Sequence, residues 1–319
     1  MEGCLFNRTG TAVLLGLAAT IEETRISYFM LKVLVLGGSG MLGHKVFQVL
    51  GRRFEAYATF RTFRNLPVYK DRAQVIDGVD ATDFTSVIRA FVQAQPDVVI
   101  NCIGIVKQCY VPTSSFVHIN ALFPHQLADL CKATGTRMIH ISTDCVFSGD
   151  KGSYTEADIP DAQDIYGRTK LLGEINSSPD CLTIRTSVFG RDFTSTKGLL
   201  EWFLKREGRV TGYKNAIYSG FTTQALAQII GDLIIHYPDL AGLYQIASEP
   251  ISKYDLLTKI RDAMHLAHEI IAFDTPVCDR SLNATAFIER TNYSIPTWDE
   301  MIAELAADAT PYGEWRRNA

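Results

Sequence analysis

The chain has 319 residues, 47% of them hydrophobic, and its 31 Lys and Arg against 35 Asp and Glu leave a formal charge of -4. That composition excludes a disordered chain, and it can fill a sizeable core. The near balance of charge lacks the one-sign excess of a nucleic-acid or membrane-surface binder, so a small-molecule partner is expected, with no nucleic acid and no membrane.

In chain order, residues 1–29 stand apart. The apolar run Thr11–Ile21 is about half of the roughly 20 residues that a membrane span needs. Only Arg8 precedes it, which makes a poor signal peptide. The expectation is that Met30 is the functional start and 1–29 a leader outside the fold. Residues 30–186 should then form a cofactor-binding domain carrying the catalytic groups. Residues 187–319 should form mainly a substrate-binding lobe, with the chain crossing between the two. The cysteines (Cys4, Cys102, Cys109, Cys131, Cys145, Cys181, Cys278) are dispersed and contain no C-x-x-C pair. That spacing suits a reducing cytoplasm rather than a disulfide framework or a zinc site. His118 and His125 lack thiolate or carboxylate company, so no metal is expected.

From Leu31 onward, short β-branched runs alternate with helical periods, the order of a parallel sheet covered on both faces. Strands are predicted near Lys32–Leu36, Ala56–Phe60, Gln74–Ile76, Val98–Cys102, Met138–Ser142 and Leu182–Arg185. Helices are predicted near Met41–Leu50, Phe84–Ala94, Ser115–Thr134 and Tyr166–Ile175. Polar, glycine-rich connections follow Thr186, then an amphipathic helix carrying Leu226, Ile229, Ile230 and Leu233, and helices near Lys253–Met264 and Trp298–Ala307. The fold class is α/β: a doubly wound parallel Rossmann sheet with a smaller α/β C-terminal lobe.

The first strand runs into Gly37-Gly-Ser-Gly-Met-Leu-Gly43 and then a helix. Gly37 would make the tight turn, Gly40 would let backbone approach a pyrophosphate, and Gly43 would let helix and strand pack closely. The free N–H groups of the first helical turn, at Met41 and Leu42, would meet the phosphate charge. An ordinary strand-to-helix turn is the competing reading. The end of the second strand selects the cofactor: an acid there suits the ribose hydroxyl of NAD, an arginine the 2′-phosphate of NADP. It reads Tyr57-Ala-Thr-Phe-Arg61, with Arg64 close behind, so NADP(H) is preferred and NAD(H) is second. Solvated surface arginines are the alternative. Asp80 would bond the adenine edge or else hold a turn.

Tyr166-Gly-Arg-Thr-Lys170 places a phenol and an ammonium on one helical face. Spacing alone says little, since Tyr28 and Lys32 repeat it where no chemistry follows. Position decides: Tyr166 opens the helix after a strand that delivers Ser142, Thr143 and Asp144 to the ligand-binding edge of the sheet. Reducing a carbonyl by hydride needs a proton donor, and bringing a phenol from about 10 to about 7 takes about 4 kcal/mol, which a nearby ammonium favours. Thr143 or Ser142 would bond the substrate oxygen, or merely cap the turn. Asn120 shares a helical face with Phe116, Phe123 and Leu127, so its amide must be paired. Either it bonds a neighbouring strand or it belongs to a water chain to Lys170.

Together these residues resemble the extended short-chain dehydrogenase/reductase family and, within it, the dTDP-4-dehydrorhamnose reductase group. The matches are Gly37–Gly43, Asn101-Cys-Ile-Gly104, Ser142-Thr-Asp-Cys-Val-Phe147, Tyr154-Thr-Glu156, Tyr166-Gly-Arg-Thr-Lys-Leu-Leu-Gly-Glu174, Ile184-Arg-Thr186 and Asp279-Arg-Ser-Leu282. The resemblance spans from about Met30 to the region of Trp298. It implies NADPH-dependent reduction of the C4 ketone of a nucleotide-linked 4-keto-6-deoxy sugar, toward dTDP-rhamnose or a relative. It implies Thr143, Tyr166 and Lys170 as the catalytic set, with Tyr166 the proton donor and Lys170 also holding the nicotinamide ribose. Cys102 and Gly104 would line the cofactor. Lys107, Asp144, Cys145 and Arg280 would meet the substrate, Arg280 through its nucleotide or diphosphate. Two departures bear on the sugar: Cys145 stands where the group commonly has Tyr, and Ile105-Val-Lys-Gln108 replaces its usual segment. Cys145 has no adjacent base and reads as a packing residue. A homodimer is left open. The competing functions are an epimerase or dehydratase of the same fold, for which Asp144 is the one available acid, and a non-catalytic NADP-binding subunit.

Overall fold

A computed structural model describes residues 31–63, 69, 74–196 and 198–318. The leader, the Met30 start and Arg64 lie outside the described residues. In chain order the first half contains β1 (Lys32–Leu36), α1 (Met41–Leu50), β2 (Glu55–Thr59), β3 (Val75–Ile76), α2 (Phe84–Ala94), β4 (Val98–Asn101), α3 (Thr113–Phe116), α4 (Phe123–Thr134), β5 (Arg137–Ile141), α5 (Ile165–Leu172) and β6 (Cys181–Arg185). Strand β1 and helices α1 and α2 have the predicted ends, and the other predicted strands and the helix at Tyr166 are present with ends moved by one to three residues.

These strands form a parallel sheet in the order β6-β5-β4-β1-β2-β3, extended beyond β6 by one later strand. Val33, Leu34, Val35 and Leu36 are all fully buried, because a central parallel strand is covered on both faces. Val33 and Val35 enter one core with Val46, Phe47 and Leu226. Leu34 and Leu36 enter the other with Val87, Phe91, Phe123 and Leu127. Strand order reverses between β1 and β4, where Leu36 lies beside Asn101. The residues after those two strands therefore flank the crevice in which open α/β sheets bind ligands.

The single helix expected over Ser115–Thr134 is instead α3 and α4 joined by a π turn at Val117–Leu122. Pro124 supplies a reason: it has no N–H to give the Asn120 carbonyl four residues back, so the regular ladder fails there. Against that carbonyl packs Gly173, whose added Cβ would stand 2.0 Å from it.

After Thr186 come β7 (Val188–Phe189), α6 (Leu199–Leu204), β8 (Arg209–Tyr213), β9 (Ala216–Tyr218), β10 (Phe221–Thr222), α7 (Thr223–His236), β11 (Gly242–Gln245), β12 (Ile251–Ser252), α8 (Lys253–Ala263), β13 (Glu269–Phe273), β14 (Cys278–Asp279), α9 (Thr285–Thr291), α10 (Trp298–Ala306) and α11 (Tyr312–Asn318). This stretch is shared between two regions. Helix α7 packs on α1, and β11 pairs in parallel with β6 as the seventh strand of the large sheet. Apart from that sheet, β9 lies between β12 and β14, and β8 pairs with β13. Among the described residues no helix is long and apolar enough to cross a membrane.

Candidate active site

The phosphate loop has the geometry its glycines predict. Gly37 takes φ +85° and gives its N–H to Thr59 Oγ1 at 3.1 Å. A Cβ on Gly43 would stand 2.1 Å from the Gly37 carbonyl oxygen, so only glycine lets α1 start this close to the loop. Helix α1 begins after Gly40 without a side-chain cap, which leaves the N–H groups of Met41 and Leu42 facing outward for an anion. A Cβ on Gly40 would meet nothing but the Gly37 carbonyl, at 3.3 Å, so the cradle is open. The loop abuts the end of β4: a Cβ on Gly37 would meet Ile103 Cγ1 at 3.1 Å and the Cys102 carbonyl carbon at 3.3 Å.

At the outer end of β2, Arg61 is exposed and lies within electrostatic reach of Asp80. Asp80 holds a turn: its Oδ1 accepts from the Thr82 N–H at 2.8 Å and the Thr82 hydroxyl at 2.7 Å. Burial works against its charge, but those two bonds, with Arg61 behind them, keep its carboxyl below the usual range.

The catalytic candidates converge at the carboxyl end of β5. Thr143 begins a short 3-10 turn, Asp144–Val146, and its hydroxyl accepts from the Cys145 N–H at 3.1 Å. It therefore does cap a turn, it lies close enough to the Tyr166 phenol to pull its pKa down, and it donates to Asp144 Oδ1 at 3.1 Å. Helix α5 reaches this turn closely, since a Cβ on Gly167 would lie 2.2 Å from the Cys145 carbonyl oxygen. Its cap is Asp164, which accepts from the Gly167 N–H at 2.9 Å and pairs with Lys107 at 2.8 Å. Lys107 thus sits at the start of the helix that carries Tyr166.

Lys170 is buried and donates to the Ile141 carbonyl at 2.7 Å. Burial brings it down to about 8, opposed by the Glu174 carboxylate and by Cys102. Tyr166 corrects an expectation. Burial, and after it the Cys145 thiol, push its phenol above the ordinary range, with the Thr143 hydroxyl pulling the other way. In the chain alone Lys170 serves the strand carbonyl and does not make the phenol acidic. The phenol is held protonated, the form a proton donor must have.

Ser142 is corrected too: its hydroxyl donates to Glu174 Oε1 at 2.7 Å, so it is not the one offered to a ligand. Asn120 bonds both polar groups of Ile105, accepting from its N–H at 2.8 Å and donating to its carbonyl at 2.9 Å. Its partner is the loop after β4 rather than a strand. That loop contains Gly104, whose added Cβ would come 3.6 Å from Asn120 Oδ1. Cys102 is beside Lys170, and burial pushes both its thiol and that of Cys145 up to about 12. Neither is a thiolate near neutral pH, in line with the packing role expected of Cys145.

Arg280, half-buried after β14, donates through Nε to the Phe147 carbonyl at 2.9 Å. Its charge acts on Asp144, Cys145 and Asp164. Asp144 is buried, which raises its carboxyl above the usual range against bonds from Cys145 and Thr143 and the charge of Arg280. The structure thus brings Thr143, Asp144, Cys145, Tyr166, Lys170 and Arg280 together beside the loop of Cys102, while Arg61 and Asp80 lie at the β2–β3 end. Among the described residues no group of three His, Cys, Asp or Glu could hold a metal ion.

Sequence reasoning missed the support beneath this cluster. Glu174 forms a bidentate pair with Arg185, at 2.9 Å and 2.7 Å, and both are nearly solvent-free. The available signal was Glu174 four residues after Lys170, followed by an arginine within an otherwise apolar strand.

A phosphate cradle at the switch point of a parallel sheet, with a Thr-Tyr-Lys set at its edge, defines a dinucleotide-binding protein of the short-chain dehydrogenase/reductase type. The chain belongs to the RmlD substrate binding domain family, whose model matches residues 31–310. It is 32% identical over 259 residues to the spore coat polysaccharide biosynthesis protein SpsK of Bacillus subtilis, covering 77% of this chain and 84% of that one. It is 29% identical over 249 residues to a dTDP-4-dehydrorhamnose reductase of Aggregatibacter actinomycetemcomitans, covering 73% and 79%. The crystal structure of a hypothetical dTDP-4-dehydrorhamnose reductase from Sulfolobus tokodaii superposes with a TM-score of 0.68 at 27% identity, over 83% of this chain and 96% of that one.

Proposed function

We propose that the chain reduces the C4 ketone of a nucleotide-linked 4-keto-6-deoxy sugar with NADPH, that the substrate is dTDP-4-dehydrorhamnose, and that the product feeds polysaccharide synthesis in the cytoplasm. The observation that carries this reading is the meeting of Thr143, Tyr166 and Lys170 at the sheet edge beside an open phosphate cradle. The residues present fit the cofactor: the uncapped start of α1 suits a pyrophosphate, and exposed Arg61 suits a 2′-phosphate.

When bound, NADPH supplies the hydride to the ketone carbon. Tyr166 holds the ketone oxygen and gives it the proton that completes the alcohol, and Thr143 joins it by turning its one hydroxyl hydrogen from Asp144 to that oxygen. Lys170, charged below about 8, stabilises the phenolate left behind and holds the nicotinamide ribose. Before substrate enters, Asp144 Oδ1 accepts the hydrogen of the Thr143 hydroxyl and keeps that hydroxyl in place. Arg280 supplies positive charge for the diphosphate, and Lys107 and Cys145 lie where sugar contacts would vary.

The test is a screen of purified protein and NADPH against several nucleotide 4-keto-6-deoxy sugars, with the stereochemistry of each product assigned. Oxidation of NADPH with dTDP-4-dehydrorhamnose, yielding dTDP-rhamnose, is the expected result. Turnover without oxidation would identify an epimerase or dehydratase. Binding of NADPH with no sugar turned over would identify a non-catalytic subunit.

A further inference from the structure

Helix α1, which opens at the phosphate loop, is held from behind by the C-terminus of the chain. His44, in its first turn, is fully buried, with Nδ1 2.9 Å from the Gly40 carbonyl oxygen and Nε2 3.0 Å from the Tyr312 hydroxyl. A carbonyl only accepts, so Nδ1 carries the hydrogen and Nε2 is left as an acceptor facing the Tyr312 hydroxyl, whose one hydrogen is shared between Nε2 and Asp308 Oδ2, 3.3 Å away. Burial pulls the imidazole down to about 4, so this neutral tautomer persists at physiological pH. The next residue, Lys45, pairs with Asp308 at 2.7 Å with both side chains almost free of solvent.

Tyr312 is itself held on every side. It is 1% exposed, its ring stands edge-on to His44 at 5.6 Å, and the Arg191 guanidinium lies 4.6 Å from its centroid. Arg316, one turn on, donates through Nε to the Asp192 carbonyl at 2.9 Å and pairs with Glu201, which also pairs with Arg191. Tyr312 and Arg316 lie beyond the residues matched by the family model, which end at 310.

The Gly40 carbonyl and the Met41 N–H belong to one planar peptide, so a bond that fixes the carbonyl also fixes the direction of the N–H. That N–H is the first of the uncapped donors at the phosphate cradle. We propose that Tyr312, acting through His44, is a positioning residue for the cofactor pyrophosphate: it locks the imidazole that aims the Gly40–Met41 peptide. This rests on the dinucleotide reading of the loop. The C-terminal helix is then part of the cofactor site although no atom of it need touch the cofactor.

Tyr312→Phe keeps the buried ring and removes only the hydroxyl. NADPH affinity of the full chain, measured by fluorescence titration, should weaken about 3- to 10-fold, the size of one net hydrogen bond. The KM for NADPH should rise by the same factor, with kcat at saturating NADPH changed by less than about twofold. His44→Asn should weaken binding as well, and the double variant should be no weaker than His44→Asn alone, because the two residues act in series. A lower melting temperature for Tyr312→Phe with unchanged NADPH affinity would mark Tyr312 as structural and overturn the proposal, as would additive losses in the double variant. Failure of the unmodified chain to bind NADPH would overturn the dinucleotide reading, and this inference with it.

Discussion

Lys170 sets the pH dependence of the proposed reaction. Burial lowers it to about 8 while Glu174 holds the proton on, so it is charged below that pH and neutral above. Tyr166 is pushed up by burial and keeps its proton throughout the same range. The ketone-reducing kcat/KM should therefore hold on the acid side and fall as pH rises through about 8. A profile that rises across that region would remove Lys170 from the role assigned to it. The roles of Tyr166 and Lys170 were suggested by spacing and position, yet the electrostatics were not readable there. Whether an ammonium lowers a phenol depends on where the ammonium points, and Lys170 points at Ile141. Ser142 and Thr143 looked interchangeable as hydroxyl donors until Glu174 claimed the first.

Among elements, the Glu174–Arg185 pair ties the segment after α5 to β6, and Ser142 joins it from the end of β5. Arg185→Met would leave a buried carboxylate with the Ser142 hydroxyl but without its cation, and such uncompensated charge costs about 3–5 kcal/mol. Chemical denaturation of the variant measures this, and a loss under about 1 kcal/mol would contradict a buried ion pair at this position. Period and turn residues were enough to find β1, α1 and α2, because buried strands and amphipathic helices carry strong patterns. They could not reveal the π turn at Val117–Leu122, whose cause is a single missing N–H at Pro124. The helix-face argument for Asn120 correctly required a paired amide, but the partner, Ile105, lies in a loop that periodicity does not describe.

For the whole molecule, the order of strands and helices carried the α/β class, while the path of the chain after Thr186 did not show in the pattern. Helix α7 and β11 return to the large sheet through long-range packing, and Tyr312 meets His44, and Arg316 meets Asp192, across more than a hundred residues of sequence. The family match begins at residue 31 and β1 at Lys32, so a chain starting at Met30 retains every contact described above. It should fold and bind NADPH as the full chain does; a melting temperature lowered by more than a few degrees would show that the first 29 residues contribute to the fold.

In the proposed reaction Tyr166 protonates a sugar ketone as NADPH is consumed. Its most direct test is the stoichiometry of NADPH oxidised to dTDP-4-dehydrorhamnose reduced, for the unmodified chain and for Tyr166→Phe. One for one is expected in the unmodified chain, with a rate lower by about 10²- to 10⁴-fold in the variant. Product formed without NADPH loss, or an unchanged rate in Tyr166→Phe, would contradict it.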